Sequence, residues 1–407
     1  MSKKTFFRGL IFREFYFSST LSSADLSERI GKSLPFTMNI LNELIEEGFI
    51  KESGYAPSSG GRRPIMYTIE PDKFYILSVA MDQLVTRISL MDVYNNHVAD
   101  VEKFELPLQN NPAALSTLAE KMQEVIRKSG LNKNKIIGVG IGMPGFIVFK
   151  KGINYTHLEV KDKTITQYLT EKLGLPVYID NDSSLIALAE FRFGAARNQK
   201  NAMVINVGWG IGLGMILNGK LFRGHNGFAG EFSHMSLFDN NKMCVCGKTG
   251  CLETVASIGV IIEKAIEGLK AGQLTGLGKD FPSGHFEQDW EAIVSAAING
   301  DKYVIKLISD AGYNIGKGVA ILIHLVNPES VILSGRGTLA GKVWQAPIQQ
   351  AINEHCIPRL SANTTVAIST LGYQAELIGS AALVMEHQVK DTSMAPGKAK
   401  RSLTLKK

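Results

Sequence analysis

Four residues with soft donor atoms crowd one short stretch of the chain. His234, Cys244, Cys246 and Cys251 follow the spacing H-x9-C-x-C-x4-C, and Gly247 and Gly250 let the chain turn between the sulfurs. One imidazole and three thiolates so spaced suit a tetrahedral structural Zn2+. Two other readings compete: unpaired thiols beside an unrelated histidine, or a disulfide, which would leave one thiol over. Nothing in the sequence marks an oxidising compartment. Cys356 lies far outside this cluster and reads as a small buried residue. Glu231 stands three residues before His234 and Glu253 two after Cys251, so a loop folded around a metal brings both carboxylates near the imidazole. Carboxylates beside a fixed histidine are good partners for sugar hydroxyls. Asn181 and Asp182 add a second polar pair where a strand ends and a helix begins, a place from which a carboxylate can orient or deprotonate a hydroxyl. Taken alone, Asp182 reads first as a helix N-terminal carboxylate facing backbone N–H groups.

The elements that must position these residues alternate between strands and helices. Phe74 to Ala80, Thr86 to Met91 and Val98 to Phe104 read as a β-meander. A helix from about Ala113 to Lys128 follows, then the buried strand Ile136 to Ile141 ending in GMPGF. Strands Pro176 to Ile179 and Ala202 to Val207 flank a helix from Ser183 to Phe193. After Gly214, Met215 to Leu217 and Lys220 to Phe222 form a hairpin around Asn218-Gly219. Meander, helix and strand met twice, with helices between, predict α/β sheets flanked by helices rather than a Rossmann unit. A late helix, Ala375 to Glu386, is expected to return to the first lobe.

The first 70 residues read differently. Leu10, Ile11 and Phe15, then Leu26 and Ile30, mark two amphipathic helices, the second capped by Ser22 or Ser23 with Asp25 in its first turn. Gly31 ends it, Ser33 can cap the next, and Leu34 and Pro35 occupy that helix's first turn. Two short helices joined by a glycine turn are a helix-turn-helix. Phe49 to Glu52 and Ile65 to Ile69 then read as strands around SGYAPSSGGRRP, a wing that ends in two arginines. The helix from Leu34 to Glu47 has no Arg or Lys and an acidic end at Glu43, Glu46 and Glu47, so the phosphate-driven part of any DNA affinity should be modest. Base reading would fall to Asn39 and Asn42, with Arg62 and Arg63 in the wing and Lys32 and Arg8 on phosphates.

Composition sets broad bounds. The 407 residues allow two to four domains, and 45% hydrophobic with 20% charged residues is ordinary for a globular protein. The first apolar run is broken by Arg8, Arg13 and Glu14, unlike a signal peptide, and Val319 to Val326 is too short to span a bilayer. A cytoplasmic protein without membrane insertion is the expectation. The net charge of +6 owes part to the tail after Val389, which reads as a solvated disordered segment.

With these residues in place, the run AGEFSHM followed by CVCGKTGCLE resembles the signature of the ROK family, named for repressors, open reading frames and kinases. The resemblance extends from about Phe6 to Gln388. It implies an α/β fold, a duplicated ribonuclease-H-like arrangement as in actin and hexokinase, with a cleft between two lobes and a structural zinc loop. It also implies a sugar site at Asn181, Asp182, Glu231, His234 and Glu253, with Thr156 a weaker match in an altered loop. SSADLSERIGKSLPFTMNILNELIEEGFI with SSGGRRP resembles the winged helix-turn-helix of the family's repressors, which its kinases generally lack. The implied domains are 1-70 for DNA binding, 71-195 with the returning helix 375-388 as the first lobe, 196-374 with the zinc loop 234-251 as the second, and the tail 389-407.

The nucleotide half departs from the family's kinases. Ala80 stands in place of an aspartate, Asp82 and Gln83 in place of glycines and Leu84 in place of a threonine. In the second phosphate loop Gly208-Trp209-Gly210 carries an indole where a small hydroxyl is usual, and the adenosine-side glycine pair is Gly335-Arg336. A triphosphate and its magnesium need a carboxylate, close backbone approach and a hydroxyl at such positions, so no ATP is expected. The expectation is a transcriptional regulator, a repressor, of carbohydrate metabolism that senses a sugar or sugar phosphate and meets operator DNA as a homodimer or homotetramer. An active sugar kinase with a fused DNA-binding domain, with Asp182 as base, and a zinc-stabilised module docking on a protein partner stay open.

Overall fold

The apolar runs of the middle of the chain pair into two five-stranded sheets with one topology. In the first, strands run in the order Val177–Asn181, Ile136–Met143, Tyr75–Met81, Val85–Met91, Glu102–Glu105. In the second the order is Thr365–Ile368, Ser330–Ser334, Ala202–Val207, Ile211–Leu217, Lys220–Phe222. The first three strands of each are parallel and the last two antiparallel. This is the repeat that the sequence pattern predicts. The computed structural model describes residues 3–58 and 63–387.

Two helices lie between the sheets. Helix Ala375–His387 packs on the first sheet, helix Asp182–Phe193 packs on the second, and the two pack on each other. Contact through these layers is at backbone distance because glycine sits at each interface. A methyl group on Gly140 would overlap the Ser380 carbonyl, one on Gly379 the Leu185 carbonyl, and one on Gly214 the Ser183 carbonyl and Ala187. Gly212 and Gly214 belong to strand Ile211–Leu217, which begins four residues earlier than the sequence reading placed it. Its glycines look like a loop in sequence, and they are there because a helix presses on the strand.

Strand Val98 to Phe104 needs a similar correction, since pairing starts only at Glu102. The Asp92 carboxylate accepts the Tyr94 and Asn96 amides in a tight turn, and the chain touches the ladder again only at the Met91 to His97 bridge before it rejoins.

At the amino end, helices Lys3–Ser18, Ser23–Arg29 and Leu34–Glu46 pack with a three-stranded sheet ordered Leu21–Ser22, Ile65–Ile69, Ile50–Tyr55. Ser22 and Asp25 form a reciprocal capping box. Ser33 takes the cap position of the third helix without a side-chain hydrogen bond, and Gly31 turns the chain at φ 62°. The core of this unit, with Phe12, Phe15, Leu26 and Leu41 buried, runs on into Leu188 and Leu383 of the two central helices. At that junction Tyr16 meets Phe193 edge-on at 5.6 Å, and the Arg192 guanidinium lies 4.2 Å from the Phe17 ring and 2.8 Å from Glu386. Among the described residues no helix is long and apolar enough to cross a membrane.

Gly379→Ala forces a methyl group into a backbone carbonyl that cannot swing away, so it should lower stability by about 3 kcal/mol. Gly278 faces open space, and Gly278→Ala should stay within about 0.5 kcal/mol. Urea denaturation of the two variants checks the difference.

Candidate functional site

The cleft between the sheets encloses about 500 Å3 and brings together Asn181, Asp182, Glu231, His234 and Glu253. Helix Asp182–Phe193 starts at its floor. Asn181 rather than Asp182 caps this helix: its Oδ1 accepts the Ser184 amide at 3.2 Å, while its Nδ2 donates to the Gly145 carbonyl at 3.4 Å. Asp182 is thereby released from capping. It accepts the Ser183 amide, and its side-chain bonds, from Ser183 Oγ and Asn206 Nδ2, are long at 3.3 Å each. Burial, with the nearby Asp82 and Glu231 carboxylates, pushes its carboxyl up to about 6. A carboxylate whose side-chain donors stand this far off keeps room to accept a hydroxyl. Behind it, Arg223 from the second sheet's hairpin donates Nε and Nη2 to buried Asp180 at 2.9 and 2.5 Å, fixing the turn that presents Asn181 and Asp182.

On the opposite wall, His234 points one nitrogen each way. Its Nδ1 lies 3.4 Å from Cys244 Sγ and its Nε2 3.8 Å from a Glu231 carboxylate oxygen. Cys246 and Cys251 sulfurs are 3.5 Å apart, and one donor atom from each of His234, Cys244, Cys246 and Cys251 falls within 4.8 Å of the others. All four cysteines are free thiols. Burial pushes the Cys251 thiol up to about 12, a cost that a bound cation relieves by displacing the proton. The donor set and its spacing therefore fit a metal ion. Glu253 sits beside Gly210 with its carboxylate near the Ile211 amide at 3.4 Å. Thr156 lines the cleft, but its hydroxyl accepts the Phe146 amide at 2.9 Å.

The other side of the cleft, with Asp82, Arg336, Tyr373 and Glu376 in its lining, carries charges that the sequence reading did not connect. Asp82 caps its own turn, accepting the Leu84 and Val85 amides at 2.7 Å each, and pairs with Arg336 at 2.6 Å. Arg336, 7% exposed, also holds Glu287 at 2.9 Å and donates to the Tyr373 hydroxyl. Tyr373 in turn donates to Glu287, and Lys103 pairs with the same carboxylate. Opposite Ala80 in the ladder stands Arg87, its guanidinium 3.3 Å from the Tyr373 ring and 3.1 Å from Glu376. Even so, burial pushes the Glu376 carboxyl up to about 8. Trp209 lies edge-on to Phe286 at 5.0 Å. Arg336 and Asp82 each stood out in the sequence as a break at a glycine position, but nothing in the sequence joined the two, and Glu287, some 50 positions from Arg336, carried no signal.

The residues assigned to DNA are distributed less simply. Asn39 and Asn42 lie on the exposed face of helix Leu34–Glu46, and Lys32 is exposed in the preceding turn. Arg8 must be corrected: it is bound to Glu47, with Glu43 at 4.0 Å, and Lys4 reaches Glu43 at 2.8 Å. Much of the acidic end of this helix thus faces the first helix. Arg63 donates to the Ala56 and Tyr55 carbonyls at 2.6 and 3.3 Å and ties the base of the hairpin. Arg62 and the tail 389-407 lie outside the described residues.

The ROK family profile matches residues 85–387. The chain belongs to the ROK family. Among ROK relatives, the xylose repressor of Caldicellulosiruptor bescii is 28% identical over 92% of this chain and 94% of its own. The DNA-binding transcriptional dual regulator NagC of Escherichia coli K12 is 29% identical over 89% of this chain and 88% of its own. A glucokinase of Halalkalibacterium halodurans is 33% identical over 71% of this chain and 89% of its own. Of solved ROK structures, a transcriptional regulator homologous to the E. coli MLC protein superposes with a TM-score of 0.76 at 25% identity, covering 95% of this chain and 96% of that one. A Streptomyces griseus ROK glucokinase shares the fold at a TM-score of 0.66 and 24% identity; nearly all of it, 98%, accounts for 76% of this chain.

The raised Asp182 carboxyl has a stability consequence. Its folded value of about 6 exceeds the ordinary 3.8, so folding is favoured by the proton at low pH and that support is lost as pH rises through this window. Asp182→Asn should therefore stabilise the protein by about 1–2 kcal/mol at pH 8, a figure reduced for its half-open position, and by almost nothing below pH ~4. Thermal melts at both pH values check this.

Proposed function

We propose that this chain is a DNA-binding transcriptional regulator, a repressor of carbohydrate metabolism, whose kinase-like cleft senses a sugar or sugar phosphate and does not use ATP. The observation that carries the reading is the Arg336 cluster. Its guanidinium, held between Asp82 and Glu287, occupies the half of the cleft where a triphosphate would have to lie. Binding a nucleotide there would require breaking partly buried ion pairs and bringing phosphate against Asp82 and Glu287. The regulators' coverage of about nine-tenths of the chain supports the same conclusion.

In this reading residues 1-70 form a winged helix-turn-helix, 71-195 with 375-388 the first lobe, and 196-374 the second. Asn39 and Asn42 read bases, with Arg62 in the wing, and Lys32 contacts phosphate. Asn181, Asp182, Glu231, His234 and Glu253 bind the sugar. His234, Cys244, Cys246 and Cys251 would hold Zn2+, whose role is to clamp the loop that carries Glu231 and His234. A homodimer or homotetramer in the cytoplasm presents two winged helices to two operator half-sites. Sugar that favours one lobe arrangement by about 1.4 kcal/mol changes operator occupancy about tenfold. A second reading, a ROK sugar kinase with a fused DNA-binding unit, is favoured by the long side-chain bonds of Asp182 and by the glucokinase relative.

One experiment separates them. The full chain, loaded with zinc, is titrated onto its own upstream DNA with and without hexoses, pentoses and N-acetylhexosamines, while ADP release from magnesium-ATP is followed in parallel. The expected outcome is salt-sensitive DNA binding that a sugar alters, with no ADP release. Sustained turnover lost in Asp182→Ala establishes the kinase instead. For the metal, Cys246→Ser leaves the core untouched because Cys246 is exposed; it should lose zinc by elemental analysis and sugar affinity together, and retained sugar affinity without zinc refutes the clamp.

A further inference from the structure

Phe146 and Phe228 line the cleft that holds Asp182 and Glu231, and Tyr155 stands beside them against Phe228. Phe146 is 43% and Tyr155 62% exposed, and Phe228 is half-buried. The Phe146 and Phe228 centroids are 5.4 Å apart at 70°, those of Tyr155 and Phe228 6.4 Å at 82°. Exposed Leu274, Ile298 and Leu325 do not line the cleft, and exposed Trp209, which does, is paired with Phe286.

The rings are held firmly. The hairpin of Ile147–Val148 and Ile153–Asn154 sets Phe146 and Tyr155 side by side, with the Tyr155 amide donating to the Phe146 carbonyl at 2.9 Å and the Phe146 amide to Thr156 Oγ1. Gly145, at φ 100°, lets this loop press on Thr156. Phe228 comes from the opposite wall, between Gly227 and Gly230 at φ 100° and 105°. Both walls continue directly into the polar site: the Gly145 carbonyl receives Asn181 Nδ2, and Glu231 is three residues beyond Phe228.

Open aromatic faces beside a polar cleft are costly unless something covers them. A pyranose ring carries hydroxyls at its edge and C–H groups on its face. The hydroxyls match carboxylates and histidine, and the C–H face matches the electron-rich face of an aromatic ring. A ring held at Asp182 and Glu231 satisfies the first need only. We propose that Phe146, Tyr155 and Phe228 form a second sugar subsite, so that the effector is a disaccharide or longer oligosaccharide rather than a monosaccharide. This rests on the sugar reading of the cleft given above.

Calorimetry on the full chain with zinc tests it, using glucose, xylose and N-acetylglucosamine against cellobiose, maltose, xylobiose and chitobiose. One disaccharide is expected to bind at least about tenfold more tightly than its own monosaccharide, about 1.4 kcal/mol. Tyr155→Ala and Phe146→Ala should erase most of that advantage and leave monosaccharide affinity within about twofold, while Phe146→Trp should keep it. Monosaccharide binding with no disaccharide advantage, or an advantage untouched in both alanine variants, overturns the subsite and leaves the sugar reading standing. If no sugar of either length binds, both are overturned.

Discussion

Backbone-to-backbone contact at the centre of the molecule is the constraint on which the rest of the structure depends. Sheet, helix, helix and sheet are stacked so closely that Gly140, Gly379 and Gly214 are required at successive interfaces. Side chains pack with tolerance, since a rotamer can change; a carbonyl against a Cα cannot. The two central helices are thereby set in fixed register with each other and with both sheets. Because each helix packs on the sheet to which its partner does not, the lobes are interlocked rather than merely adjacent.

That register delivers the chemistry. Helix Asp182–Phe193 opens into the cleft with Asn181 as its cap, which leaves the Asp182 carboxylate with long side-chain bonds. Helix Ala375–His387 brings Glu376 to the same cavity. The far ends of both helices meet the amino-terminal unit, through Phe193 on Tyr16 and through Arg192 joined to Glu386 and stacked on Phe17. Each central helix therefore runs unbroken from the cleft to its contact with the amino-terminal unit.

How much of this was legible in sequence depended on range. The Ser22 and Asp25 box, the Gly31 turn and the histidine and cysteine spacing are local chemistry, and each element lies where its residues place it. The two sheets followed from apolar runs of ordinary length. What failed was read from residues whose purpose is set by distant neighbours. Strand Ile211–Leu217 hid behind glycines demanded by a helix on another layer. Arg8 and Arg63, free cations in sequence, are taken by Glu47 and by hairpin carbonyls. Asp82 looked like an isolated substitution until Arg336, Glu287 and Tyr373 closed around it. Phe146 and Phe228, with strand Val177–Asn181, helix Asp182–Phe193 and the strands Ala202–Val207, Ile211–Leu217 and Lys220–Phe222 between them, carried no shared signal at all.

The ion cluster also bears on how such a cleft can change over generations. Glycine at position 82 alone leaves Arg336 with Glu287 and the Tyr373 hydroxyl, whereas removing Arg336 alone leaves Asp82 without its cation, since Lys103 still holds Glu287 and Arg87 still holds Glu376. The second step strands a partly buried charge, at a cost of about 3 kcal/mol. That is a large share of a domain's stability. Opening this side of the cleft without stranding a charge therefore takes paired replacements, Asp82 together with Arg336, rather than one.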